Sequence, residues 1–79
     1  MKKVSPVIVG IKSEKLSYEE KLFLEEFKPL GIILFSRNIK NKSQVIYLIK
    51  SIKKILGIGC LILIDQEGGK VSRLDSLDF

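Results

Sequence analysis

Three runs of apolar residues divide the chain. Residues 6–11 contain Val7, Ile8, Val9 and Ile11, residues 31–35 read Gly-Ile-Ile-Leu-Phe, and residues 60–64 read Cys-Leu-Ile-Leu-Ile. β-Branched and aliphatic side chains in runs of this length predict strands. Because the apolar positions in each run are continuous and do not alternate with polar ones, all three, the first included, predict strands that are apolar on both faces.

Between the runs the period changes. Ser17 followed by Glu20 forms the Ser-x-x-Glu pattern, in which each side chain satisfies a backbone N–H of the other at a helix start. Leu22, Phe23 and Phe27 are predicted as the inward stripe of that helix, with Glu19, Glu20, Glu25 and Glu26 mostly outside it and Pro29 stopping it. The second helix is stronger. Asn41 caps it with Gln44 at the third helical position, Val45, Leu48, Ile49, Ile52, Ile55 and Leu56 recur at helical spacing, and Gly57 ends it.

The resulting order is β-α-β-α-β, an α/β fold with parallel strands joined by helical crossovers and a sheet expected to be covered on both faces. In such sheets ligands gather beyond the C-terminal ends of the strands. Residues 12–16, 36–40 and 65–74 are therefore predicted to lie together as loops.

Composition narrows the chemistry. A chain of 79 residues allows one small domain, here 1–79, with a thin core. Cys60 is the single cysteine and histidine is absent, which excludes an internal disulfide and a Cys/His zinc site and removes the commonest proton-transfer side chain. No metal and no cofactor are expected. The longest apolar run, 55–64, is interrupted by Gly57 and Gly59 and falls short of the roughly 18 residues a membrane span needs. Met1-Lys2-Lys3 and the apolar run after it are broken by Pro6 and Lys12, so a cytoplasmic protein without a membrane association is expected.

The formal charge is +5, and no acid occurs between Phe27 and Asp65. Lysines on the solvent side of an amphipathic helix, without interleaved aromatics, do not predict nucleic-acid binding. They do define an alternative function, a small interaction module using the Lys-rich second helix on an acidic partner.

The segment after the third strand carries the most chemistry. Asp65 stands at the strand's end, where a carboxylate can accept from two neighbouring sugar hydroxyls. Arg73 supplies a planar fork of donors, and Gly68-Gly69 allows the chain to fold back over a ligand. Equally, Asp65 can cap the next turn and pair with Lys70 or Arg73, and spacing alone leaves both readings open. Arg37, Asn38, Gln66 and Glu67 are similarly open between lining a site and ordering a loop. Gly57-Ile58-Gly59 lacks the third glycine and the strand-before-helix context of a dinucleotide fingerprint, and Gly68-Gly69-Lys70 lacks the spacing of a P-loop. Cys60 is expected to be a small core residue.

Two stretches together, Gly31-Ile-Ile-Leu-Phe-Ser-Arg-Asn38 and Ile64-Asp-Gln-Glu-Gly-Gly-Lys-Val-Ser-Arg-Leu74, closely resemble the N-terminal part of glycoside hydrolase family 3, in its β-N-acetylhexosaminidase branch. The resemblance runs from the Leu16-Ser17-Tyr18-Glu19-Glu20 helix start to Leu74. It implies the first third of a (β/α)8 TIM barrel and a cofactor-free hydrolase that removes terminal β-N-acetylglucosamine in cytoplasmic peptidoglycan recycling. It further implies that Asp65 and Arg73 contact the sugar, an N-acetylglucosamine-containing cell-wall muropeptide in the whole enzyme. The family's aspartate nucleophile and histidine acid/base lie downstream of this motif. No catalytic residue is therefore expected within the 79, the chain alone is expected to be inactive, and Phe79 is expected to be a truncation point before a missing C-terminal portion.

Overall fold

The computed structural model describes residues 5–66 and 70–73. Strand β1 (Ser5–Gly10) leads to helix α1 (Tyr18–Phe27), then β2 (Pro29–Leu34), a 3-10 turn (Ser36–Asn38), α2 (Lys42–Leu56), β3 (Leu61–Gln66) and β4 (Lys70–Arg73). The four strands form one sheet in the order β1-β2-β3-β4. β1, β2 and β3 are mutually parallel, whereas β4 is antiparallel to β3. The strand was not anticipated in the span read as one loop, 65–74. β3 continues through Asp65 and Gln66, and the period-2 pattern Lys-Val-Ser-Arg pairs back along it.

The helix starts follow the sequence closely. Ser17 and Glu20 exchange both capping-box hydrogen bonds, as do Asn41 and Gln44, and Gly57 ends α2 at a φ of 103° that only glycine adopts freely. α1 instead ends on Lys28, a non-glycine residue at φ 54°, whose backbone N–H still reaches the Leu24 carbonyl at 3.0 Å.

The core lies on one face of the sheet. Ile32, Leu34 and Ile62 meet Val45, Leu48, Ile49 and Ile52 of α2 and Leu24 of α1, with Ile11 and Leu16 closing one end, and Ile64 is buried as well. Both helices therefore cover the same face, and the expectation of a sheet covered on both faces is corrected for the described residues. The strand order explains this. A chain that steps across the sheet in one direction, with crossovers of one hand, returns each helix to the same side. Ile33, Leu61 and Leu63 alternate with the core residues and stay only half-buried on the other face.

The face of α1 also differs from expectation. Leu24 is its buried residue at 1% exposure, while Leu22, Phe23 and Phe27 remain 47%, 47% and 37% exposed. The reason is Glu20, whose carboxylate accepts from the Lys12 backbone N–H at 2.9 Å and so turns toward the body of the protein. Leu24, one turn further on, follows it inward. Phe23 and Phe27 stack on each other instead, centroids 5.0 Å apart.

At Gly31 the strands approach closely. A Cβ there would lie 2.6 Å from the Leu61 Cβ and 2.9 Å from its carbonyl carbon, so only glycine fits. Among the described residues no helix is long and apolar enough to cross a membrane.

Candidate functional site

The C-terminal ends of the parallel strands are organised by Asn38, which is fully buried. Its Nδ2 donates to the carbonyls of Ile11 at 2.9 Å and Ser13 at 2.6 Å, and its Oδ1 accepts from the Phe35 N–H at 2.8 Å. Gln44 extends the clasp, its Nε2 donating to the Glu14 and Asn38 carbonyls, both at 2.8 Å. Glu20 holds the same loop from its other side through Lys12. A loop of residues 11–16 that has no regular ladder of its own thus has its backbone groups satisfied by side chains from both helices and the 3-10 turn. Asn38 therefore orders this end of the sheet, which decides the choice left open by sequence. No buried side-chain polar atom among the described residues lacks a partner.

Burial acts to raise the Glu20 carboxyl, but hydrogen bonds from the Ser17 and Lys12 backbone N–H groups and the nearby Lys12 charge outweigh it. The pKa ends below the ordinary glutamate value.

Asp65 is half-buried, one residue before the end of β3. It alternates with Ile64, which is 7% exposed on the helix-covered side, so it belongs to the open face. Continuing the β2–β3 register, in which Leu34 pairs with Ile64, sets Phe35 level with it. In the antiparallel pair the backbone register sets Asp65 opposite Val71 and Leu63 opposite Arg73. The side chains of Gln66 and Arg73, and Glu67, Gly68, Gly69 and Leu74, lie outside the described residues.

Arg37 sits at the same end. Its Nε donates to the Ile11 carbonyl at 3.2 Å, and its guanidinium lies 4.8 Å from the centre of the Phe35 ring. Sequence left Arg37 ambiguous because nothing in the order Ser-Arg-Asn says which of the two polar side chains turns inward. The roles of Glu20 and Gln44 in holding the loop went unseen beyond their caps, since both contacts cross between elements.

Cys60 packs against the core just before β3. Its thiol pKa is raised by burial, with the Lys53 charge acting the other way. A concavity lies on the helix side of the sheet, in the groove between α1 and α2, lined by Lys21, Glu25, Lys28, Tyr47, Lys50 and Lys54. It shares no residue with the strand ends, and its open lysine-rich wall suits solvent better than an oriented ligand.

No protein-family model matches the chain. A β-hexosaminidase of Actinobacillus pleuropneumoniae serotype 5b is 45% identical over 67 residues, which is 85% of this chain and 19% of that protein. One from Haemophilus influenzae is 37% identical over 70 residues, 89% of this chain and 20% of that protein. The chain is homologous to one segment of the β-hexosaminidases. It spans about a fifth of the length of these relatives. A crystal structure of NagZ from Neisseria gonorrhoeae in complex with N-trifluoroacetyl-D-glucosamine superposes with a TM-score of 0.73 at 38% identity, covering 89% of this chain and 21% of that one. The α/β arrangement with three parallel strands thus superposes on a solved NagZ structure.

Proposed function

We propose that this chain is the N-terminal β-α-β-α-β portion of a family 3 β-N-acetylhexosaminidase, and that Asp65 and Arg73 hold the non-reducing N-acetylglucosamine. The observation that carries this reading is the position of Asp65. It stands on the open face near the C-terminal end of a central parallel strand, and the backbone of β4 returns alongside with Arg73 opposite Leu63. There a carboxylate accepts from adjacent sugar hydroxyls and a guanidinium donates to them, so the sugar is fixed in direction.

The reading extends to architecture. A sheet that advances in one direction, with its helices on one side and an apolar open face on the other, is what the first units of a (β/α)8 barrel require, the open face becoming the barrel interior. The chain contains no histidine. A retaining mechanism with a histidine acid/base and an aspartate nucleophile draws both from the remaining four-fifths of the enzyme, and the 79 residues alone are catalytically silent. The setting proposed is cytoplasmic recycling of peptidoglycan, with a muropeptide as the physiological substrate.

The test is complementation. A β-hexosaminidase lacking the segment homologous to this chain is mixed with it, and hydrolysis of a chromogenic β-N-acetylglucosaminide is followed. Activity is expected only from the mixture and is abolished by Asp65→Ala. A mixture whose activity is indifferent to Asp65→Ala contradicts the assignment.

A further inference from the structure

We propose that Arg37, beside the notch left by Gly10, is a carboxylate-binding residue of this site and that the ligand it selects is a sugar acid. The proposal rests on the sugar-site reading for the sugar, and on the following geometry for the acid.

Gly10 and Phe35 meet on the open face. A Cβ built on Gly10 would lie 3.5 Å from the Phe35 ring and 3.7 Å from Arg37 Nη2, so with glycine at this position no side chain intervenes between the β1 backbone and the guanidinium. Arg37 is held on two sides, by its Nε bond to the Ile11 carbonyl and by the Phe35 ring. Among the described residues its two terminal amino groups donate no hydrogen bond. With Nε engaged, the end-on pair Nη1 and Nη2 is left, and its parallel donors match the two oxygens of a planar carboxylate. An arginine already fixed in one orientation loses little further freedom on binding, which is how a surface side chain becomes selective. The acid on the same face of the described strands is Asp65, on β3, while Arg37 reaches over β1. Hydroxyl recognition is thus assigned to Asp65 on β3 and carboxylate recognition to Arg37 beside the end of β1.

The experiment compares D-glucuronate with D-glucose by amide chemical-shift titration of the 79-residue chain. Glucuronate is expected to bind about tenfold more tightly, as a charge-assisted bidentate pair implies. Gly10→Asp places a carboxylate of the chain's own against Arg37 and should erase the preference while raising the melting temperature. Gly10→Asn, of equal size and no charge, should retain it, and Arg37→Ala should lose it. Equal binding of the two sugars, binding of neither, or a preference that survives Gly10→Asp overturns the proposal. Failure of the sugar reading looks different, because N-acetylglucosamine binding would then be indifferent to Asp65→Ala while the glucuronate preference persists.

Discussion

Asn38 Nδ2 donates to the Ile11 carbonyl at 2.9 Å across 27 positions of sequence, which joins the segment after β2 to the end of β1. Neither residue belongs to a strand, yet this contact and its companions to Ser13 and Phe35 fix where the first two strand ends present their loops. The candidate site is thus built on a buried amide that the sugar is not proposed to touch.

Asn38→Ala should destabilise the fold by about 2–3 kcal/mol, since it leaves the Ser13 carbonyl and the Phe35 N–H without their partner and the Ile11 carbonyl with the Arg37 Nε bond alone. Asn38→Asp tests the direction of the bonds, because it keeps the acceptor for Phe35 and turns the donor into an oxygen facing two carbonyl oxygens. Urea denaturation should show a loss of comparable size for both. An Asn38→Asp midpoint equal to that of the unmodified chain would exclude the clasp.

Gly31→Ala should be among the most damaging single-methyl additions in this chain. The added carbon meets Leu61 backbone that cannot rotate away, so β2 and β3 must separate where Gly31 and Leu61 pair. Thermal melting should show a loss of about 1–3 kcal/mol, the range for overpacking. Gly59→Ala, where a Cβ meets nothing within 4 Å, is the matched control and should change little by comparison.

The Glu20 carboxylate gives a pH dependence with a definite sign. Its folded pKa lies below the ordinary value, so its contribution is complete above the unfolded glutamate pKa of about 4.3 and is lost as pH falls through the lower folded value. The stability difference between the unmodified chain and Glu20→Gln should hold steady from pH 7 to about 5 and shrink below about 4. A difference that grows in acid would show that Glu20 is not stabilised as a carboxylate.

Cys60 should alkylate more slowly than a free thiol at pH 8, because burial holds its pKa up and packing against the core restricts access. In denaturant the rate should rise to the free value. A native rate equal to that of the denatured chain would place Cys60 outside the fold.

Much of this architecture is legible in the residues themselves. α2 has a cap, a helical period and a terminal glycine that all agree, and the structure reproduces each. α1 was legible at its ends but not in its facing, because Glu20 reads as a solvent residue until its bond to Lys12 is known, and that bond joins groups eight residues apart across a loop. β4 was hidden by its four-residue length and by a glycine pair that suits a ligand loop as well as a hairpin. Apolar strands announced two apolar faces, but only the sheet order says that both helices return to one of them. The place of Asp65 near the end of β3 was legible from the switch in polarity after an apolar run. Arg37 and Asn38 could not be separated, since burial alone distinguishes them.

The most direct test of the central claim is an amide chemical-shift titration of the chain with N-acetylglucosamine, unmodified and as Asp65→Asn. Shifts are expected to concentrate in Leu63 to Gln66 of β3, in β4 and at the Gly10 and Phe35 strand ends, and to be absent from the Asp65→Asn chain. Shifts centred on Lys21, Lys50 and Lys54 in the α1–α2 groove, or shifts unaffected by Asp65→Asn, would contradict it.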